Sequence, residues 1–389
     1  MRRAARLDGL GTTIFTEMTA LAERTGAINL GQGFPDVDGP AEAIEAVVSA
    51  LRSGRANQYA PLPGVPVLRE AIFDHQRECY GLEPEEVIVT FGATEAIASA
   101  VLGLCDPGDE VVVLEPLYDS YAATIAFAGA RRRTVPLKPP EFRLTEEALR
   151  EAITGGAGRA RLLLLNSPHN PSGRVLDAEE LELVRAACVA HDLVCVSDEV
   201  YEHLVFDGEH VPPAGLPGMA ERTLTISSVG KSFSFTGWKI GWASGPAELV
   251  TATRTAKQFL SFSGGTPLQH GAAAALRLPR TVLDGLAVQL RTARDQLCEG
   301  LRAAGLHPIV PQGTYFVNAD VGTEAVEFCR ELPERAGVVA IPTGTFYDDK
   351  RIAPTLVRFA FCKRPEVIAE AATRLASLRN RRVASQPLR

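Results

Sequence analysis

Lysine is scarce in this chain of 389 residues: only six of its 40 basic residues are lysines, at positions 138, 231, 239, 257, 350 and 363. A lysine inside a stretch of small and apolar residues is therefore conspicuous, and Lys231 and Lys239 both sit in one. Long apolar runs are also missing. None exceeds five residues (Ala186–Ala190 and Ala272–Leu276), far short of the roughly 20 that span a bilayer, so no transmembrane helix is expected. No apolar segment follows Arg2-Arg3 before Asp8 and Glu17, which leaves no secretion signal and makes the cytoplasm the expected compartment. The seven cysteines (79, 105, 188, 195, 298, 329 and 362) are never paired as Cys-x-x-Cys. Neither a disulfide framework nor a cysteine-based zinc site is indicated, and no metal is expected. Positive charge is not in excess either: 40 basic against 47 acidic residues give a net charge of −7, which offers no electrostatic reason to bind nucleic acid.

What is present fits a soluble globular enzyme. Apolar residues make up 46% and charged residues 22%, and at roughly 150 residues per domain the length suggests two or three domains. Apolar patches alternate with helical periods. Strands are expected at Val87–Phe91, Val111–Leu114, Thr134–Leu137, Leu162–Leu165, Leu193–Val196, Thr223–Ser227 and Ile240–Ala243, interleaved with helices near 118–129, 178–191 and 247–260. That is the pattern of an α/β protein with a mostly parallel sheet covered on both faces. Beyond Gly264-Gly265-Thr266-Pro267 one long helical stretch to about Ala304 is expected. A smaller α+β set follows, with strands at Thr314–Ala319, Gly337–Ile341 and Leu356–Phe361 and helices near 324–335 and 365–378. Residues 1–26 read as an arm and short helix, and Arg379–Arg389 as a frayed tail.

In an open α/β sheet ligands bind where strand ends meet loops, and four such places carry polar residues. Phe91-Gly92-Ala93-Thr94 ends a strand and opens a helix, leaving free N–H groups suited to a phosphate; a plain N-cap turn has the same composition. Asn166-Ser167-Pro168-His169-Asn170-Pro171-Ser172-Gly173 is a stiff loop that could hold the Asn170 amide against a ring or carboxylate, or be a simple turn. Ser197-Asp198-Glu199-Val200-Tyr201 offers a carboxylate for a ring cation and a phenol three residues on, or a cap and a core tyrosine. Ser227-Ser228-Val229-Gly230-Lys231 places an amine among small residues, and a desolvated lysine is a nucleophile. The Ser228-x-x-Lys231 spacing also matches an acylase pair, but no Ser-Asp-Asn or Lys-Thr-Gly partner is present. A nicotinamide fingerprint fails, because Gly31-Gln32-Gly33-Phe34 has no third glycine in register and precedes a proline.

The order of these motifs, with a late Arg358 in Val357-Arg358-Phe359-Ala360-Phe361, resembles the class I aminotransferases, pyridoxal-phosphate enzymes of fold type I, from about Leu7 to Leu378. The resemblance implies a large domain (41–280) around a seven-stranded, mostly parallel sheet, a small domain (281–389) joined by the amino-terminal arm (1–40), and a homodimer with shared active sites. It implies pyridoxal 5′-phosphate as cofactor. Lys231 then matches the lysine that forms a Schiff base with the cofactor aldehyde and shuttles the proton. Asp198 matches the carboxylate that keeps the ring nitrogen protonated, Asn170 and Tyr201 the donors to the ring oxygen, and Tyr118 the aromatic stacked on the ring. Gly92, Ala93, Thr94, Ser228 and Lys239 match the phosphate site, with Tyr59 arriving from the other subunit. Arg358 matches the clamp on the substrate α-carboxylate, aided by Asn170 and Gly33. Phe15, Tyr59, Gly264 and Thr266 are side-chain-pocket candidates by position.

Many class I members have arginine where this chain has Lys239, but the kynurenine and glutamine aminotransferase branch also has lysine. Asn29–Asp36, Gly237–Trp242 and Val357–Lys363 place the chain in that branch. Asp38-Gly39-Pro40, Tyr201–Asp207 and Lys257–Gly265 look most like actinobacterial N-succinyl-L,L-diaminopimelate aminotransferases. Gly264-Gly265 would leave room for a long acyl substrate, or simply cap the next helix. A broad glutamine, methionine or kynurenine aminotransferase with cysteine-conjugate β-lyase activity, or a specialised enzyme for an unusual 2-oxo acid, remain alternatives. A transcription regulator on this fold would need a DNA-binding domain ahead of Ile28, which only 27 residues precede.

Overall fold

A computed structural model describes residues 4–7, 14–158 and 160–378; the expected tail at Arg379–Arg389 lies outside them. The strands in chain order are β1 (Ile28–Asn29), β2 (Glu86–Thr90), β3 (Glu110–Glu115), β4 (Arg131–Pro136), β5 (Ala160–Asn166), β6 (Val194–Asp198), β7 (Thr223–Ser228) and β8 (Gly241–Gly245). They continue with β9 (His307–Ile309), β10 (Phe316–Asp320), β11 (Val338–Val339), β12 (Ile341–Pro342) and β13 (Leu356–Ala360). β2 to β8 form one seven-stranded sheet in the order β2-β8-β7-β6-β5-β3-β4. Six of the strands run the same way, and β8 is antiparallel to both of its neighbours, β2 and β7.

The apolar strands are continuous rather than alternating because both faces of the sheet are covered. Val112, Leu114, Leu163, Leu165 and Cys195 pack on one side, with Leu149 and Ile153 of the helix Glu146–Thr154 and Leu181, Val184 and Cys188 of the helix Ala178–His191. Val111, Val113, Leu162, Leu164, Val194, Val196 and Leu224 face the other way, against the helices Gly92–Leu104, Asp119–Phe127 and Ala247–Leu260. Successive side chains thus serve opposite layers, each fully buried aliphatic contributing about 1.5–3 kcal/mol.

Residue registers bring the site together. Gly241, at the start of β8, lies opposite Thr90 on one side and Ser228 on the other. Asn166 and Asp198 are paired at the ends of β5 and β6. The second sheet has the order β12-β13-β10-β9, with Arg358 of β13 between Asn318 and Ile341. The amino-terminal segment joins this part of the fold through β1, which pairs in parallel with β11, and the Leu30 carbonyl accepts from the Ala360 N–H at 2.7 Å.

The expected continuous helix after Gly265 is two helices, Thr266–Leu276 and Arg280–Ala303. Pro279 separates them, since a proline inside a helix removes a donor and clashes with the preceding turn. The helices Ala41–Arg52, Pro66–Tyr80 and Glu146–Thr154 and the short strand β9 were not anticipated. Among the described residues no helix is long and apolar enough to cross a membrane.

Gly241 is tied to its size. A Cβ there would lie 2.6 Å from the Gly92 carbonyl carbon and 2.8 Å from the Ala93 nitrogen, both backbone atoms. Gly241→Ala is expected to destabilise the protein by about 1–3 kcal/mol, the usual range for overpacking. An unchanged denaturant midpoint would contradict this close packing.

Candidate active site

The carboxyl ends of β5, β6 and β7 supply the first groups. The Asp198 carboxylate is buried under the sheet edge, accepting from the Tyr121 hydroxyl at 2.6 Å and from the Val200 N–H at 3.3 Å. The Asn166 amide donates to the Asp198 carbonyl at 2.8 Å, and the Asn166 side-chain oxygen accepts from the Asn170 N–H at 2.8 Å. Burial pushes the Asp198 carboxyl up to about 6. The Tyr121 and Val200 hydrogen bonds and the positive charge of Lys231 oppose that rise without cancelling it. A cation set against this carboxylate would be held in a medium that screens it poorly.

Lys231 sits on the single helical turn Val229–Ser232 directly after β7. Its Nζ lies 5.8 Å from the Tyr201 ring centre and 5.6 Å from that of Tyr315. Burial lowers its pKa, and the charges of Lys239 and Arg358 push the same way, while Cys362 and Asp198 resist. A lowered ammonium pKa raises the fraction of free amine at neutral pH, the form that attacks a carbonyl.

The helix Gly92–Leu104 opens onto the same space. Phe91 precedes it without a side-chain cap, and only the Phe91 N–H is taken locally, by Glu95 at 2.7 Å. Lys239 adopts the left-handed conformation (φ 54°), which carries its Nζ to 3.5 Å from the Thr94 hydroxyl. Gly92 is also left-handed (φ 72°), and a Cβ on it would come within 3.2 Å of that Nζ. Uncapped N–H groups, a helix dipole and an ammonium thus surround one point beside the buried Ser228, a combination suited to a phosphate.

Arg358 closes the opposite side and is buried. Its Nη1 donates to the Asn170 side-chain oxygen at 3.2 Å and its Nη2 to the Gly31 carbonyl at 2.9 Å, while Nε is buried without a partner. The rings of Phe316, Phe346 and Phe15 stand 4.1, 4.9 and 5.3 Å from the guanidinium carbon. Burial lowers its pKa to about 10. A guanidinium fork in such surroundings is a site for a carboxylate, which binds it in a planar bidentate pair.

These groups line a cavity of about 450 Å³. It brings together Phe15, Gly33, Gly92, Ala93, Thr94, Tyr118, Asn170, Asp198, Tyr201, Ser228, Lys231, Lys239 and Arg358. Gly33 needs its small size, because a Cβ would lie 2.3 Å from the Phe316 ring. Tyr59, Gly264 and Thr266 are elsewhere, in a depression of about 400 Å³. Gly265 is left-handed (φ 64°) at the start of the helix Thr266–Leu276, and a Cβ on Gly264 would lie 2.1 Å from the Phe91 ring. Both glycines therefore have local packing reasons, and neither lines the cavity that holds Lys231.

Sequence reasoning did not single out Tyr121, Asn166, Phe316 or Phe346. Tyr121 follows Tyr118 by one helical turn, the spacing that puts two side chains on one face, and that signal was available. The phenylalanines reach Arg358 through tertiary packing, which leaves no local trace.

Residues 25–375 match the family model described as aminotransferase class I and II. A solved structure described as N-succinyldiaminopimelate aminotransferase from Mycobacterium tuberculosis superposes with a TM-score of 0.93 at 50% identity, covering 97% of this chain and 100% of that one. A methionine aminotransferase of Escherichia coli is 39% identical over 96% of this chain and 98% of its own. Kynurenine–oxoglutarate transaminase 3 of Mus musculus is 36% identical over 95% and 89%.

The Asp198 shift has a sign that stability can read. Its folded pKa of about 6 lies above the ordinary 3.8, so the folded chain takes up the proton first and this contribution to stability is lost as pH rises from about 4 through 6. In protein stripped of small molecules, the wild type is expected to lose roughly 2 kcal/mol relative to Asp198→Asn between pH 4 and pH 8. Parallel pH–stability curves for the two would refute the raised pKa of this buried carboxylate.

Proposed function

Since the chain belongs to the class I and II aminotransferases, we propose that it exchanges the amino group between N-succinyl-L,L-diaminopimelate and 2-oxoglutarate, with pyridoxal 5′-phosphate held in the 450 Å³ cavity. The observation that carries this reading is the convergence of four unlike groups on that one cavity: a desolvated amine at Lys231, a buried carboxylate at Asp198, an uncapped helix start beside Lys239, and the buried fork of Arg358.

When bound, the cofactor supplies an aldehyde that exchanges amines and a ring that accepts the electron pair left by a departing proton. The chain's own groups do the rest. Lys231 would hold the cofactor through Nζ and, as a desolvated amine, would be the base that takes the substrate Cα proton and gives it back. Asp198 would hold the ring nitrogen, and Tyr121 keeps that carboxylate oriented. Asn170 and Tyr201 would hold the ring oxygen, and Tyr118 would cover the ring. Ala93 and Thr94 N–H groups, Ser228 and Lys239 bind the phosphate, and Gly92 keeps their approach open. Arg358 grips the α-carboxylate, with Asn170 fixing the angle of its fork.

The same proposal takes the working unit to be a homodimer in the cytoplasm. Tyr59 and Phe259 are each 81% exposed, and Leu260 and Phe262 are exposed beside them. Covering this apolar patch with a second copy would bring Tyr59 to the partner's phosphate. The seven cysteines are free thiols, the usual state in a reducing compartment. The succinylated substrate rests on the 50% identical relative. Broad action on methionine, glutamine or kynurenine is the second reading, favoured by the relatives at 39% and 36% identity.

Arg358→Ala is expected to lower kcat/KM by about a hundredfold or more, the scale of removing one partner of a buried charge pair. Saturation kinetics that leave KM and kcat/KM unchanged would remove Arg358 from the carboxylate site. The substrate itself is read by single-turnover absorbance of the cofactor-loaded protein mixed separately with N-succinyl-L,L-diaminopimelate, glutamate, methionine, glutamine and kynurenine, with Lys231→Ala as the inactive control. Fast conversion by the first two alone is expected. Conversion by methionine, glutamine or kynurenine and none by the succinylated compound would establish the broad reading instead.

A further inference from the structure

A second cluster of buried chemistry lies away from the cavity, between the helix Pro66–Tyr80 and the turn that follows β6. His75, Glu202 and His203 are exposed by only 4%, 4% and 6%. The Nε2 atoms of the two imidazoles face each other at 2.7 Å, with ring planes at 90°. One ligand atom from each of the three residues falls within 4.8 Å of the others. Glu202 Oε1 accepts from the Ser227 hydroxyl at 2.5 Å, but Oε2 is buried without a partner, as is the Nδ1 of each histidine. The Tyr80 phenol lies against Glu202, and its ring stacks on His203 at 6.3 Å. Phe233 and Trp242 wall the cluster, their rings 6.5 Å from His203 and His75 respectively.

Two facing imidazoles can satisfy each other with one hydrogen bond only, in which one donates and the other accepts. That leaves the buried Glu202 carboxylate to rest on the Ser227 hydroxyl and the imidazoles beside it, with Oε2 making no hydrogen bond of its own, an arrangement protein interiors seldom leave open. A divalent cation between them resolves this, because it accepts a lone pair from both Nε2 atoms and from Oε2 at once. We propose that His75 Nε2, His203 Nε2 and Glu202 Oε2 bind one divalent transition-metal ion of the zinc type per subunit, with the fourth position left to a water beside the Tyr80 oxygen.

The ligand chemistry selects the ion class. Two imidazoles and one carboxylate suit zinc and its neighbours, whereas magnesium and calcium prefer oxygen donors throughout. Tetrahedral zinc with bonds of 2.0–2.1 Å holds two nitrogens about 3.3 Å apart, so the imidazoles need only open by about half an ångström. No short sequence motif marks such a site, since His75 and His203 are 128 residues apart. The ion would be structural. It would tie the turn carrying Tyr201 to the helix Pro66–Tyr80 and, through Ser227, to the end of β7, without touching the cavity.

The test uses the cofactor-loaded protein. After a chelating resin, the wild type is loaded with zinc chloride and desalted, and elemental analysis is expected to give about one zinc per subunit. His75→Gln and His203→Gln are each expected to cut the retained zinc at least tenfold while keeping the cofactor absorbance, and zinc should raise the melting temperature of the wild type alone. In zinc-soaked wild-type crystals an anomalous difference peak is expected between His75 and His203, a measurement that does not depend on the variants folding. Loss of zinc on desalting, retention undiminished in both variants, or density for water alone between the imidazoles would each overturn the assignment.

Discussion

One reversed strand sets the geometry of the whole site. Because β8 runs against β2 and β7, its amino end lies among their carboxyl ends. Residues just before β8 are thus delivered to the edge where residues just after β2 and β7 also emerge. Without that reversal Lys239 would leave the sheet at the far edge, and no ammonium would meet the start of the helix Gly92–Leu104. The left-handed turn at Lys239 and the glycine pair at 92 and 241 follow from the same constraint. Two backbones must pass each other at close range while a cation is held over the gap.

The second constraint is charge in a dry place. Lys231 and Arg358 are both depressed and Asp198 is raised, with burial as the largest cause in each case. Such groups cost stability when nothing compensates them, and proteins retain them where function requires it. The compensation present within the chain is partial. Tyr121 steadies Asp198, Asn170 and the Gly31 carbonyl take two of the Arg358 donors, and three phenylalanine rings face its guanidinium. What is left over is an anion site at each end of the cavity and a cation site between them. That charge pattern is complementary to a phosphorylated pyridinium and an amino acid carboxylate.

Strands β2, β3, β5 and β6 of the main sheet were legible in the sequence as compact apolar runs ended by glycine or a polar residue, while β4, β7 and β8, which are rich in arginine, threonine, serine and glycine, were marked more by the alternation around them. The sequence also exposed the loops after β2, β5, β6 and β7, since polar side chains at strand ends contrast with what precedes them. The reversal of β8 was not legible, because strand direction leaves no mark on composition. Nor were Phe316 and Phe346 beside Arg358, which come from β10 and the segment 343–346 and reach it through tertiary packing, whereas Phe15, the third ring, was a candidate by its place in the family. Helices such as Pro66–Tyr80 escaped notice for a different reason. That segment is studded with His75, Gln76 and Arg77, polar residues that weaken the apolar stripe, although His75 and Gln76 are buried.

Those buried polar residues connect the two clusters of chemistry in the molecule. The turn after β6 gives Asp198 and Tyr201 to the cavity and Glu199, Glu202 and His203 to the interior behind it, where Glu199 meets His210 at 2.8 Å. A turn with acidic side chains alternating between two environments cannot shift toward one without disturbing the other. Holding Glu202 and His203 rigidly against the helix Pro66–Tyr80 therefore also fixes the angle at which Asp198 and Tyr201 are presented. The positioning of the Asp198 carboxylate is thus set from behind as much as by Tyr121 in front of it, which is why so polar an interior is tolerated next to a cavity that keeps its own charges buried.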